Sequence, residues 1–152
     1  MKIMKKPAIL VSACLLGVCC RYDGESKPCA DVISLRDRFI LIPICPEEDG
    51  GLPTPRTPSE RVGDKVLMRD GRDVTKNYHD GARHALGRAE TFGCTAAILK
   101  ARSPSCGKGR IYDGTFSGNL TDRDGVCAEL LMKNGIKVYT EEEIDLLIKD
   151  FT

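Results

Sequence analysis

Three features are missing from this 152-residue sequence, and each absence excludes something. Neither charge sign is in excess: 23 lysines and arginines face 22 aspartates and glutamates. No like-charge block is long enough to make a basic stripe, which excludes extended duplex nucleic acid as a partner and leaves a small anionic ligand open. No apolar run approaches the ~18 residues of a membrane span, so no membrane partner is expected. No Cys-x-x-Cys pair occurs, and such close ligand spacing is the mark of a structural zinc site. Histidine is scarce: His79 and His84 both fall on a predicted helix.

Cysteine, in contrast, is present eight times, at a density below that of a disulfide scaffold. In a chain that reads as an α/β enzyme, such thiols favour metal binding or catalysis. Lys2, Lys5 and Lys6 ahead of the apolar stretch Pro7 to Cys14 resemble a lipoprotein signal. That apolar stretch is at the short limit for an h-region, and cleavage there would delete a strand of the expected core. A soluble, cytoplasmic protein is therefore expected, of a size that forms one domain and buries roughly two thirds of its unfolded surface.

Residues Ala8 to Ser12 and Phe39 to Ile42 read as strands, with a short amphipathic helix inside Pro28 to Arg38 between them. Cys45 to Pro58 is rich in proline and glycine, which forbids both helix and regular strand and marks a functional loop. Val66 to Val74, centred on Asp70-Gly71, predicts a β-hairpin. Thr75 is positioned to cap a helix from about Lys76 to Phe92 that stops at Gly93, with Ala82, Ala85, Leu86 and Ala89 facing inward. Thr95 to Leu99 is short, apolar and without alternation, which suits a central strand covered on both faces. Asp124 caps a predicted helix from Gly125 to Lys133, Ile136 to Tyr139 is a last strand, and Thr140 with Glu143 forms a capping box for the final helix. The sum is a single three-layer α/β domain over residues 1–152 with a mostly parallel, Rossmann-like sheet.

That fold class gives the cysteines their meaning. Ligands of open parallel sheets bind outside the carboxyl ends of the strands. Cys14, Cys45 and Cys106 each follow such an end, so they converge although they are far apart in sequence. Three thiolates suit a soft metal or an iron–sulfur cluster, and with both histidines elsewhere a coordination position is left open.

The segments Ser12 to Gly17 with Arg21-Tyr22-Asp23-Gly24, Cys45-Pro46-Glu47 with Gly50 to Arg56, and Ser103-Pro104-Ser105-Cys106-Gly107 with Ile111 to Gly118 resemble the thiouracil desulfidase family. The resemblance spans nearly the whole chain, with three motifs in order. It implies a [4Fe-4S] cluster held by Cys14, Cys45 and Cys106, with the fourth iron free to take the sulfur of a small thiopyrimidine. The reaction it implies replaces C=S by C=O and releases sulfide without net electron transfer. Glu47, two residues beyond a ligand cysteine, is the first candidate for the base that activates water. Ser103 or Ser105 would hydrogen-bond the ring or the water, and Lys100 or Arg102 would stabilise developing negative charge.

Each candidate also has a plainer reading. Glu47 belongs to an acidic loop run that is ordinarily solvated, the two serines can close a turn on their own backbone, and Lys100 and Arg102 can be surface charges. Arg56 either meets a phosphate or fixes the long loop in a salt bridge. Cys19, Cys20, Cys29, Cys94 and Cys127 read as ordinary thiols. Among them the vicinal Cys19-Cys20 pair leaves room for a swapped or accessory ligand. The alternative function is a metal- or redox-sensing module with a three-cysteine site and no catalysis.

Overall fold

The computed structural model describes residues 6–152, so Lys2 and Lys5 of the basic N-terminal segment lie outside the described residues. β1 (Ala8–Ser12) passes into a 3₁₀ turn, Ala13–Leu16, that ends on Gly17 with φ 96°. α1 (Ala30–Ile33) continues as a second 3₁₀ turn, and β2 (Ile40–Ile44) runs directly into α2 (Pro46–Asp49). β3 (Ser59–Val62) and β4 (Lys65–Met68) precede the long helix α3 (Thr75–Phe92). β5 (Ala96–Leu99), β6 (Arg110–Tyr112), β7 (Leu120–Asp122), α4 (Val126–Lys133), β8 (Lys137–Thr140) and α5 (Ile144–Asp150) follow.

The main sheet is parallel throughout, in the order β2-β1-β5-β8. Leu10, Ala97, Leu99 and Val138 face the core beneath α3 and α4. Ile9, Val11, Ala96, Ile98 and Tyr139 face the core shared with Val32 and Leu147 of α1 and α5. Successive residues of each strand thus enter opposite cores, which is why these strands are apolar without alternation. The expected three-layer α/β architecture is the one observed. The register pairs Ser12 with Ile44, Val11 with Ile98 and Leu99 with Thr140, so the strands end level at one edge. The chain order reverses between β1 and β5, which places the switch point of the sheet between Cys14 and Cys106.

Several local expectations are corrected. The strand expected over Phe39 to Ile42 runs instead from Ile40 to Ile44, because β2 is an edge strand, where Pro43 loses no ladder bond that the sheet needs. Pro46–Asp49 forms a helical turn inside the stretch read as irregular. Pro46 occupies the first turn, where a missing N–H costs nothing. The hairpin shifts: Lys65–Met68 pairs with Ser59–Val62, and the Asp70-Gly71 turn returns only as far as a bridge between Leu67 and Asp73. Thr75 does not cap α3. Its Oγ1 accepts from Val66 N at 2.9 Å, while Asp73 Oδ1 accepts from Thr75 N at 2.9 Å. Asp124 does not cap α4 either, since its carboxylate accepts from Gly109 N at 2.7 Å. Thr140 N does donate to Glu143 Oε1 at 3.1 Å, as in a capping box, but Thr140 Oγ1 accepts from Glu142 N and the helix begins at Ile144.

α3 and α2 meet backbone to backbone. A Cβ on Gly81 would lie 1.8 Å from the Pro46 carbonyl oxygen, and one on Gly50 would lie 2.0 Å from that of Asn77. Gly87 in the same helix has open space around it. Alanine gains about 1 kcal/mol over glycine in a helix interior, so Gly87→Ala is expected to stabilise by up to that amount. Gly81→Ala gains the same propensity but must push α2 away from α3, and overpacking costs about 1–3 kcal/mol or more. Urea denaturation midpoints of the two variants should therefore move in opposite directions.

Candidate active site

A cleft of about 690 Å³ opens at the carboxyl edge of the sheet and is lined by Cys14, Cys20, Cys45 and Cys106. Cys14 sits in the 3₁₀ turn after β1, where its carbonyl accepts from Lys27 N at 2.9 Å and Gly17 N at 3.3 Å. Cys45 is the residue before α2, and its N–H is taken by Asp49 Oδ2 at 3.3 Å. Cys106 ends a tight turn in which Ser103 Oγ accepts from Ser105 N at 3.1 Å and Cys106 N at 3.0 Å. Gly107 completes that turn because a Cβ there would lie 2.7 Å from the Ser103 carbonyl oxygen. The level strand ends thus bring three cysteines of three separate loops to one cavity.

Cys20 is a fourth thiol in this group. It is 3 % exposed and lines the same cleft as Cys14 and Cys45. Its carbonyl accepts from Arg56 Nη2 at 2.9 Å and lies 3.7 Å from Cys45 Sγ. Cys19 points outward, while Cys94 and Cys127 are buried in the core under α3 and α4. The vicinal pair therefore divides into one surface thiol and one site thiol. All eight cysteines are free.

Three of these thiols, Cys20, Cys45 and Cys106, are held above the ordinary thiol range. Burial pushes the Cys106 thiol up to about 12, against a lowering by the Ser12 hydroxyl. Hydrogen bonding with Cys14, with burial behind it, pushes Cys20 up to about 12, and the Cys45 thiol rises through its bond to Cys20 and through burial. A cationic centre coordinated by such sulfurs reverses this preference, since a ligating thiol is deprotonated outright.

Glu47 faces the same cleft from α2, with its side chain 19 % exposed. Its Oε1 accepts from Tyr78 Oη at 2.7 Å and from Arg56 Nε at 3.2 Å. It is therefore not the free solvated acid of the plain reading. Lys100 lines the cleft with its ammonium 3.2 Å from Glu141 Oε2, while Arg102 pairs with Glu142 at the rim and holds φ 69°. Ser103 lines the cleft too. Ser105 does not: it is fully buried beneath the turn, so it is removed from the residues able to touch a substrate. Its hydroxyl lacks a hydrogen-bond partner, one residue before Cys106 in the chain. Arg56 takes its structural role, with a side chain 2 % exposed that bonds to Glu47, Pro53 O, Thr54 Oγ1 and Cys20 O.

Tyr78 is a site residue that the sequence analysis missed. A signal was present, because a tyrosine on the same helical face as Ala82, Ala85 and Ala89 buries a hydroxyl that must find a partner.

A parallel α/β sheet whose switch point opens into a thiol-lined cleft, with one carboxylate held at its wall, defines an enzyme suited to soft-metal chemistry. The profile of the 2-thiouracil desulfurase family matches residues 9–143. The chain belongs to that family. It is 41 % identical over 147 residues to an uncharacterized protein, YbbK, of Bacillus subtilis (strain 168), with 90 % of this chain and 97 % of that one covered. Among solved structures it is similar to the [4Fe-4S]-dependent thiouracil desulfidase TudS, with a TM-score of 0.89 and 43 % identity over 96 % of this chain and 98 % of that one.

Proposed function

We propose that this chain is a [4Fe-4S]-dependent thiouracil desulfidase that converts a small thiopyrimidine and water into the oxo-pyrimidine and hydrogen sulfide. The observation that carries the reading is the convergence of Cys14, Cys45 and Cys106 on one cleft that also receives Glu47. The donor set fits the cluster. Thiolates are its usual ligands, and all three cysteines line the same cleft. The orphaned Ser105 hydroxyl gains an acceptor once Cys106 is a thiolate. Cys14, Cys45 and Cys106 would hold the cluster, which when bound supplies a soft, Lewis-acidic iron with an open position for the thiocarbonyl sulfur.

The chain's own groups do the rest. Glu47 takes a proton from water as the oxygen approaches the ring carbon, and it does so through Oε2, since Oε1 is occupied. Ser103 Oγ already accepts two backbone N–H bonds, so its own hydrogen is available to the ring or to the water. Lys100, partly offset by Glu141, contributes positive potential at the cleft wall as negative charge develops. No electrons are exchanged: one C=S bond becomes C=O, and the water's two hydrogens leave with the sulfur.

Protein purified without oxygen, supplied with 2-thiouracil or 4-thiouracil, should be brown and release one sulfide per uracil formed. A brown protein that releases no sulfide from either compound would establish a sensing module instead, and a colourless zinc protein would overturn the cluster itself.

A further inference from the structure

We infer that Tyr78 and Arg56 act as a clamp on Glu47, positioning it so that only Oε2 is presented to the cleft. The inference rests on the reading of Glu47 as the base. Both clamp bonds fall on the same oxygen: Tyr78 Oη donates to Oε1 at 2.7 Å and Arg56 Nε donates to it at 3.2 Å. Oε2 has no partner among the described residues. A glutamate has three rotatable side-chain bonds, and leaving it loose would scatter the proton acceptor over many positions. Two donors on one oxygen select one rotamer and one face of the carboxylate.

Arg56 lines the cleft with a side chain only 2 % exposed. Tyr78 is fully buried and lies outside the cleft wall. Its position is set by the contact of α2 with α3, since Gly81 lies three residues on and admits the Pro46 carbonyl against the helix backbone. Asn77, beside Tyr78, donates from Nδ2 to Gly50 O at 2.8 Å and closes the other end of the same contact. Arg56 is held from the opposite side. Its Nη1 donates to Pro53 O and Thr54 Oγ1, and its Nη2 donates to Cys20 O. One guanidinium thus ties the carboxylate to the loop that carries Cys20, next to two of the proposed ligand cysteines. The two donors come from rigid, independent parts of the fold, so the direction of the acid follows from packing that does not depend on substrate.

The test is a double-mutant cycle in the cluster-loaded enzyme. Tyr78→Phe keeps the buried ring and removes only the donor. It is expected to lower kcat roughly tenfold to 10²-fold, the range for outer-shell and misplacement effects, with KM and cluster absorbance unchanged. In a crystal structure of that variant the Glu47 side chain should occupy more than one rotamer. Added to Glu47→Gln, the tyrosine substitution should produce no further loss, because there is no longer a base to position. The same absence of further loss is expected for Arg56→Lys, which keeps the charge but not the bridging geometry and serves where Tyr78→Phe does not fold.

An equal fractional loss from Tyr78→Phe in both backgrounds would overturn the clamp and leave the base in place. So would a rise in KM with kcat intact. Wild-type turnover by Glu47→Gln would overturn the base, and the clamp with it.

Discussion

Cys106→Ala is expected to lose the visible absorbance of the cluster and all sulfide release together, and Cys14→Ala and Cys45→Ala should do the same. The physical reason is the placement of the three residues. Each is supplied by a different loop at the carboxyl edge, so removing any one leaves the set one thiolate short, with Cys20 the one other thiol on the cleft wall. The fold itself should survive, since the lost contact is one buried sulfur, worth roughly 1 kcal/mol on the scale of a buried methylene. Circular dichroism separates the two effects. Cys94→Ala, in the core beneath α3, should keep both colour and activity and serves as the control. Cys20→Ala is the sharper comparison, because that thiol shares the cleft wall with Cys14 and Cys45. It is expected to keep the cluster with reduced stability. Full iron content in Cys106→Ala, or complete loss in Cys20→Ala, measured by iron and sulfide analysis, would reassign the ligand set.

The parts of the fold readable from sequence are those whose residues decide their own environment. Ala8 to Ser12 and Thr95 to Leu99 are apolar on both sides, and only a strand buried on two faces accommodates that. α3 carries small residues at helical spacing and stops at Gly93 with φ 67°, so both its face and its end are written locally. The parallel sheet then brings the three cysteines together by topology alone.

What was not legible depends on distant pairing. β6 and β7 are three-residue strands with mainly partly or fully exposed residues, so pairing rather than composition makes them strands. Pro46 reads as a breaker until its place in the first turn of α2 is known. The contact between Tyr78 and Glu47 joins residues 31 apart in sequence, and it exists because Gly81 admits the Pro46 carbonyl, which no local pattern reports. Ser105 illustrates the reverse error. The motif puts two serines, separated by Pro104, just before Cys106, yet the turn directs one to the cleft and buries the other.

Glu47→Gln is expected to retain the cluster spectrum and to turn over roughly 10²–10⁴ times more slowly, the range for loss of a positioned acid or base. The amide is nearly isosteric, and its carbonyl oxygen can still accept from Tyr78 Oη and Arg56 Nε, so the side chain should stay where the carboxylate was. What disappears is the proton acceptor at Oε2, replaced by an amide NH₂ that donates instead. Water held there would be oriented with its oxygen towards position 47, away from attack on the ring carbon. Loss of the negative charge also removes the partner of a guanidinium whose side chain is 2 % exposed, so a modest drop in stability is expected with no drop in iron content. The decisive measurement is single-turnover sulfide release by wild type and Glu47→Gln at matched cluster content, which separates chemistry from product release. A slowed single turnover with unchanged substrate affinity places the loss in the attack of water. Equal single-turnover rates would make Glu47 a structural anchor for Arg56 and the Cys20 loop, and would move the search for the base to the Ser103 to Cys106 turn.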